Sequence, residues 1–260
     1  MTLVSERAGT GEPVVLVHGL GSRRGAWDPV TDLLAGEREV IGVDLPGFGE
    51  SPHDGTEPSV SGLADRLESF FSDEGLDRPH VAGNSLGGGI VLELGRRGAV
   101  RSVTAFSPTG FWRRPGKAWS RGILKAGVTV GRNAPADVPD HVRVATGRPA
   151  IFLYSSGNPW RLPPAEVLQI IDSGVGAPCF DRALELSCEY DFDDPGRLPE
   201  LPVTIAWGTR DVLLTFATQS RRARRLAPFA RHVTLPRCGH VPFFDDPERC
   251  AELILQTSAG

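Results

Sequence analysis

The chain is predicted to fold as an α/β protein: a mostly parallel, doubly wound sheet into which one helical segment is inserted. Three features carry this expectation. Short continuous apolar runs alternate with segments of helical periodicity at both ends of the chain. A G-x-S-x-G pentapeptide, Gly83-Asn84-Ser85-Leu86-Gly87, stands between one such run and a helix-like segment. From residue 110 to about residue 191 the strand signal disappears, leaving helical stretches broken by glycine and proline.

Taken in order, residues 14–17 (VVLV) suit a strand covered on both faces, and the turn His18-Gly19-Leu20-Gly21 ends it. Residues 27–34 can form a helix, residues 40–43 a second buried strand, and Asp44-Leu45-Pro46-Gly47-Phe48-Gly49 a breaker-rich loop. Apolar residues recur at helical spacing over 60–71 (VSGLADRLESFF). A short strand at 79–82 (PHVA) leads into the pentapeptide, and residues 88–97 (GGIVLELGRR) read as a packed helix with a basic end. Residues 100–106 (VRSVTAF) supply another strand before Ser107-Pro108-Thr109-Gly110 breaks the rhythm. It resumes with a strand at 203–207 (VTIAW), a basic helix after Thr215, a strand at 232–235 (HVTL) and a helix over about 247–255. Strands joined through helices pair in parallel. The core is therefore assigned to residues 1–109 and 192–260, and a helical cap to residues 110–191.

With 260 residues and 40% hydrophobic content the chain can bury a full core. The net charge of −4 gives no reason to expect nucleic acid or an anionic membrane as partner. Arg221, Arg222, Arg224 and Arg225, and the i+4 series Arg113, Lys117, Arg121 and Lys125, read as solvated helix faces. Cys179, Cys188, Cys238 and Cys250 form no C-x-x-C pair and have no histidine at zinc-ligand spacing, so no metal is expected. Cys238 lies beside His240 and is a rival nucleophile, but no elbow-like turn surrounds it. The first residues lack a basic stretch followed by a long apolar one, and no apolar run approaches the ~18 residues of a membrane span. The expectation is a cytoplasmic protein without stable membrane insertion; its oligomeric state is not legible.

With 31 glycines in the chain the pentapeptide alone is a weak signal, and its place between strand and helix is what gives it meaning. A tight strand-to-helix turn strains its central residue and leaves no room for side chains two positions away on either side. Gly83 and Gly87 meet that demand, and the turn pushes the Ser85 oxygen outward. The amide of Leu86 then points where negative charge would develop.

Five motifs, in order along both ends of the chain, resemble those of the α/β-hydrolase family. HGLG at 18–21 is similar to its oxyanion loop, DLPGFGES at 44–51 to its second loop, and GNSLGG at 83–88 to its nucleophile elbow. GTRD at 208–211 and CGH at 238–240 are similar to the loops that carry the acid and the histidine. The resemblance implies Ser85 as nucleophile, His240 as base and Asp211 as the carboxylate that orients it, in the chain order of that fold. It implies an oxyanion hole formed by the amides of Leu20 and Leu86. His18 is the rival histidine, although its place in HGLG suits loop shaping; Asp193 and Asp194 are rival acids in a setting that suits a turn. Serine at the elbow, where related dehalogenases and epoxide hydrolases use a carboxylate, implies acyl transfer from a small or medium apolar ester or lactone, with no cofactor. A carbon-carbon hydrolase of the meta-cleavage type, a thioesterase, a perhydrolase and a non-turnover receptor remain as alternatives. No basic residue is assignable by motif to the carboxylate clamp that carbon-carbon cleavage needs. Trp112, Trp119, Phe152 and Trp160, along with Tyr154 and Phe180, are candidates for lining the substrate pocket, against the simpler reading that they pack cap helices.

Overall fold

Each apolar run named above becomes a strand of one sheet, because helices on both sides cover the faces of its inner strands. The computed structural model describes residues 3–259. In chain order it forms β1 (Ser5–Ala8), β2 (Pro13–Val17), α1 (Asp28–Leu34), β3 (Glu39–Val43), α2 (Val60–Asp73), β4 (His80–Asn84), α3 (Leu86–Arg97) and β5 (Ser102–Phe106). Four helices follow, α4 (Arg114–Arg132), α5 (Asp140–Tyr154), α6 (Pro164–Gly176) and α7 (Phe180–Glu189). The sheet then resumes with β6 (Val203–Gly208), α8 (Arg221–Leu226), β7 (Arg231–Leu235) and α9 (Pro247–Ser258).

The strand order is β1-β3-β2-β4-β5-β6-β7, with β1 antiparallel to β3 and every other pair parallel. Alternation along β2 divides the core. Val15 and Val17 join Leu63, Leu67, Phe70 and Ile90 of α2 and α3 on one face. Val14 and Leu16 join Val30, Leu34, Leu253 and Ile254 of α1 and α9 on the other. Each such fully buried side chain contributes about 1.5–3 kcal/mol. Trp27 stacks on Phe243 at 3.8 Å between ring centroids, and Phe106 meets both rings edge-on. Ser59 caps α2 by accepting the Gly62 amide at 3.0 Å.

Several boundaries differ from the sequence reading. Strand β1 was not expected: SERA carries no apolar run, because this edge strand borders only β3. Helix α3 starts at Leu86 rather than at residue 88, directly after the turn. The helix expected from residue 27 begins at Asp28, after a 3₁₀ turn over Arg24–Trp27. Between β5 and β6 the helices pack on one another, α4 against α5, α6 and α7, and α5 against α6. Among the described residues no helix is long and apolar enough to cross a membrane.

Candidate active site

The turn between β4 and α3 is strained where the sequence expects it. Ser85 has φ 58° and ψ −116°, in the half of backbone space that L-residues avoid. A Cβ on Gly83 would lie 2.3 Å from the Gly87 oxygen, and one on Gly87 2.2 Å from the Val17 oxygen. Both positions therefore exclude any side chain. Around the turn, the Ser85 amide donates to the Phe106 carbonyl at 3.0 Å, and the Ser85 carbonyl accepts from Gly89 and Thr109, each at 3.0 Å. Leu86 is the first residue of α3, so its amide has no carbonyl partner within the helix.

The loop after β2 closes on this turn: a Cβ on Gly19 would sit 3.1 Å from the Ser85 Cβ. Among the described residues the Leu20 amide donates no hydrogen bond. His18, 1% exposed, has both ring nitrogens engaged. Nε2 accepts the Leu45 amide at 3.0 Å and Nδ1 donates to the Gly19 carbonyl at 2.8 Å. Burial lowers its pKa, so the ring is neutral and braces the loop.

Asp211 follows β6 and His240 follows β7, which brings both to the same edge of the sheet as Ser85. Both are buried, and His240 Nδ1 lies 2.9 Å from Asp211 Oδ2. The other carboxylate oxygen accepts the amides of Leu213 and Leu214 at 3.0 and 2.9 Å. Asp211 Oδ2 accepts a hydrogen bond from Nδ1–H, which leaves Nε2 as the free acceptor of the ring. That nitrogen is buried and has no hydrogen-bond partner among the described residues. Asn84, inside the pentapeptide, donates to the carbonyls of Phe106 and His240 at 3.1 and 2.9 Å and so ties the elbow to the histidine loop.

A cavity of about 480 Å³ opens between these loops and helices α4 to α7. Leu20, Ser85 and His240 border it, and its walls are largely aliphatic, with Leu124, Val128, Val142, Ile170 and Ile171 among them. A recess of about 20 Å³ shares Leu20, Ser85, Leu124 and Leu213 with the cavity and reaches Leu86 and Trp112.

The aromatic expectation needs correcting. Trp112 borders only the small recess and spends its Nε1 proton on the Tyr190 carbonyl. Trp119 donates to the Val212 carbonyl with half its surface in solvent, and Phe152 packs on the exposed Trp160. None of Trp119, Phe152 and Trp160 borders either space. Tyr154 and Phe180 do border the cavity, and burial pushes the Tyr154 hydroxyl up to about 12. Two basic residues that no motif pointed to are also on its lining. Arg143 is paired with Asp140 and Asp172, whereas Arg23 bonds to Gln169.

The rival groups are occupied elsewhere. Cys238 is buried, and its thiol is pushed up to about 12, first by burial and then by Asp245 and Asp246. Asp194 accepts the amide of Gly196 in an exposed turn, and Asp193 is exposed beside it. Among the described residues no group of three or more histidine, cysteine or acidic side chains is placed to hold a metal. Asn84 escaped the sequence reading because its role rests on a partner 156 positions away. The cavity walls escaped it because aliphatic residues at helical spacing look the same in a core.

Comparison with known proteins places this geometry in a family. Residues 14–253 match the alpha/beta hydrolase family. A pimeloyl-[acyl-carrier protein] methyl ester esterase of Aromatoleum aromaticum is 31% identical over 257 residues, covering 95% of this chain and 98% of the relative. An epoxide hydrolase of Mycobacterium tuberculosis is 29% identical over 199 residues, covering 74% and 91%. Among solved structures, a thermophilic esterase from Thermogutta terrifontis superposes with a TM-score of 0.74 at 25% identity, covering 98% of this chain and 92% of that one. With the match spanning all but the ends of the chain and a mostly parallel sheet carrying the motifs in order, the chain belongs to the alpha/beta hydrolase family.

Proposed function

We propose that this chain is a serine hydrolase that cleaves a small or medium apolar carboxylic ester or lactone through an acyl-enzyme on Ser85. The observation that carries this reading is the buried, unpartnered His240 Nε2, bordering the same cavity as the strained Ser85 while Asp211 holds the opposite nitrogen. In this reading Ser85 Oγ attacks the carbonyl carbon as His240 takes its proton, and Asp211 stabilises the imidazolium. The amides of Leu20 and Leu86 receive the developing oxyanion. His240 then gives the proton to the leaving alkoxide, and a water activated by the same nitrogen releases the acid. Residues 110–191 act as a cap whose aliphatic wall selects apolar substrates; a cavity of about 480 Å³ falls in the ordinary range for small-molecule sites. The esterase relatives support acyl chemistry, and serine at the elbow separates this chain from the carboxylate mechanism expected of epoxide hydrolases.

Arg23 on the cavity lining gives the carbon-carbon alternative one foothold, since that reaction needs a cation for the substrate carboxylate. Fluorophosphonate labelling mapped to Ser85, followed by steady-state kinetics on aryl esters, lactones, thioesters and meta-cleavage products, tests the reading. Ester kcat/KM at least about tenfold above that for meta-cleavage products, about 1.4 kcal/mol in transition-state preference, is expected. The reverse order overturns the ester assignment, and labelling without turnover on any set points to a receptor.

A further inference from the structure

The backbone around His240 is held on three sides, and one of those ties reaches the middle of the helical segment. Asn84 holds the His240 carbonyl, as described above. The Val241 amide donates to the Ser155 carbonyl at 2.9 Å. The Gly239 amide donates to Asp245 Oδ2 at 2.8 Å. Asp245 does more than hold that amide. Its Oδ2 also accepts the Gly157 amide at 2.8 Å, while Oδ1 accepts the Ser156 hydroxyl at 2.8 Å and the Asn158 amide at 3.1 Å. One carboxylate thus saturates the turn between α5 and the short helix at Pro159–Arg161 and the loop that carries the histidine.

The two backbones touch. A Cβ on Gly157 would lie 2.4 Å from the Arg237 oxygen, and one on Gly239 2.4 Å from the Gly157 nitrogen. From the acid's side, the Arg210 guanidinium, next to Asp211, donates to the Gly157 carbonyl at 3.0 Å and to Asn158 Oδ1 at 2.9 Å. Residues 155–158 are therefore anchored to both loops that bear the acid and the base.

We propose that Asp245 is a positioning residue that locks residues 155–158 to the His240 loop, so that the wall of the cavity and the base keep one fixed geometry. This rests on His240 being the base. Five hydrogen bonds converge on this one carboxylate, the fifth from the Asn158 side-chain amide at 3.4 Å, and together they give the lock its stiffness. A small displacement of a general base is costly, with misplacement by about 1 Å reducing rate by as much as ~10²-fold.

The test combines kinetics with hydrogen exchange on the full chain. Asp245→Asn keeps the shape but presents an amide N-H₂ to donors on one side of the carboxylate. The expected result is a kcat about 10–100-fold below wild type with KM within about threefold, in a protein whose circular dichroism is unchanged. Amide exchange in residues 155–158 and 239–241 should accelerate together. A purely structural role would lower Tm while leaving kcat below the transition intact, and that result overturns the proposal. The variant Ser156→Ala removes a hydroxyl that bonds only Asp245 and the Asn158 amide, so it loosens the turn side alone and serves where Asp245→Asn does not fold. Faster exchange in both segments supports the lock, and faster exchange confined to 155–158 overturns it. Exchange needs no turnover, so failure of the lock is distinguishable from failure of the serine-hydrolase reading, which wild-type labelling of Ser85 tests by itself.

Discussion

Strain at the elbow makes Ser85 a residue whose removal should stabilise the protein, provided the right replacement is chosen. The backbone at φ 58°, ψ −116° is the mirror image of an ordinary extended conformation, which glycine enters as readily as its counterpart. For a residue with a Cβ, such a conformation costs on the order of 1–3 kcal/mol. Ser85→Ala keeps the Cβ and the strain, while Ser85→Gly removes both. Glycine also gives the unfolded chain more freedom, which offsets about 0.4–1 kcal/mol of the gain. The expected gap is about 1 kcal/mol in favour of Ser85→Gly over Ser85→Ala, or roughly 2–4 °C in Tm for a chain of this size. Urea unfolding and calorimetry on the two variants measure it, with activity abolished in both. A Ser85→Gly protein no more stable than Ser85→Ala would show that the turn stores no strain, and the argument from the two flanking glycines would fail with it.

Gly87→Ala drives a Cβ into the Val17 and His18 carbonyls at the end of a central strand and the start of its loop, so a loss of about 2 kcal/mol or more is expected in urea unfolding, and wild-type stability would contradict the packing argument. Asp211→Asn should reduce kcat by about 10²–10⁴ through the wrong imidazole tautomer, whereas Asp193→Asn and Asp194→Asn stay within about threefold; steady-state kinetics on folded variants decides between the loops. Ser85→Ala and His240→Ala should not add, the double variant turning over little more slowly than either single one. His18 is buried and neutral, with a pKa below its unfolded value of about 6.5, so from pH 7.5 down to 5.5 the unfolded chain takes up a proton that the native state refuses. Stability therefore falls with falling pH, and His18→Asn should flatten that dependence by up to about 1.4 kcal/mol per pH unit in urea titrations, although it also lowers stability at every pH. An unchanged slope would show that His18 protonates freely in the folded protein.

What the sequence revealed and what it hid divide along physical lines. Runs such as VVLV at β2 are legible because a strand covered on both faces must be apolar throughout, and the elbow is legible because only glycine fits beside the strained serine. The start of α3 was displaced because glycines that weaken an isolated helix are kept at residues 87–89 by close packing against neighbouring backbone and side chains. β1 was hidden because an edge strand with half-exposed residues needs no apolar pattern. The pocket was misjudged for a different reason. Trp112 and Trp119 direct their indole N-H groups to carbonyls more than 70 positions along the chain, and no local pattern distinguishes such a packed ring from one facing substrate. Asp245 was hidden likewise, since its partners lie at 156–158 as well as at 239.

The central claim is that Ser85 is the nucleophile of an ester hydrolase, and the most direct measurement is aryl-ester turnover by wild type and by folded Ser85→Ala under identical conditions. The account expects measurable wild-type hydrolysis and a fall in kcat of about 10⁴–10⁶ on removing the one oxygen atom, with the fold unchanged by circular dichroism. Hydrolysis by Ser85→Ala at a rate near wild type would contradict it.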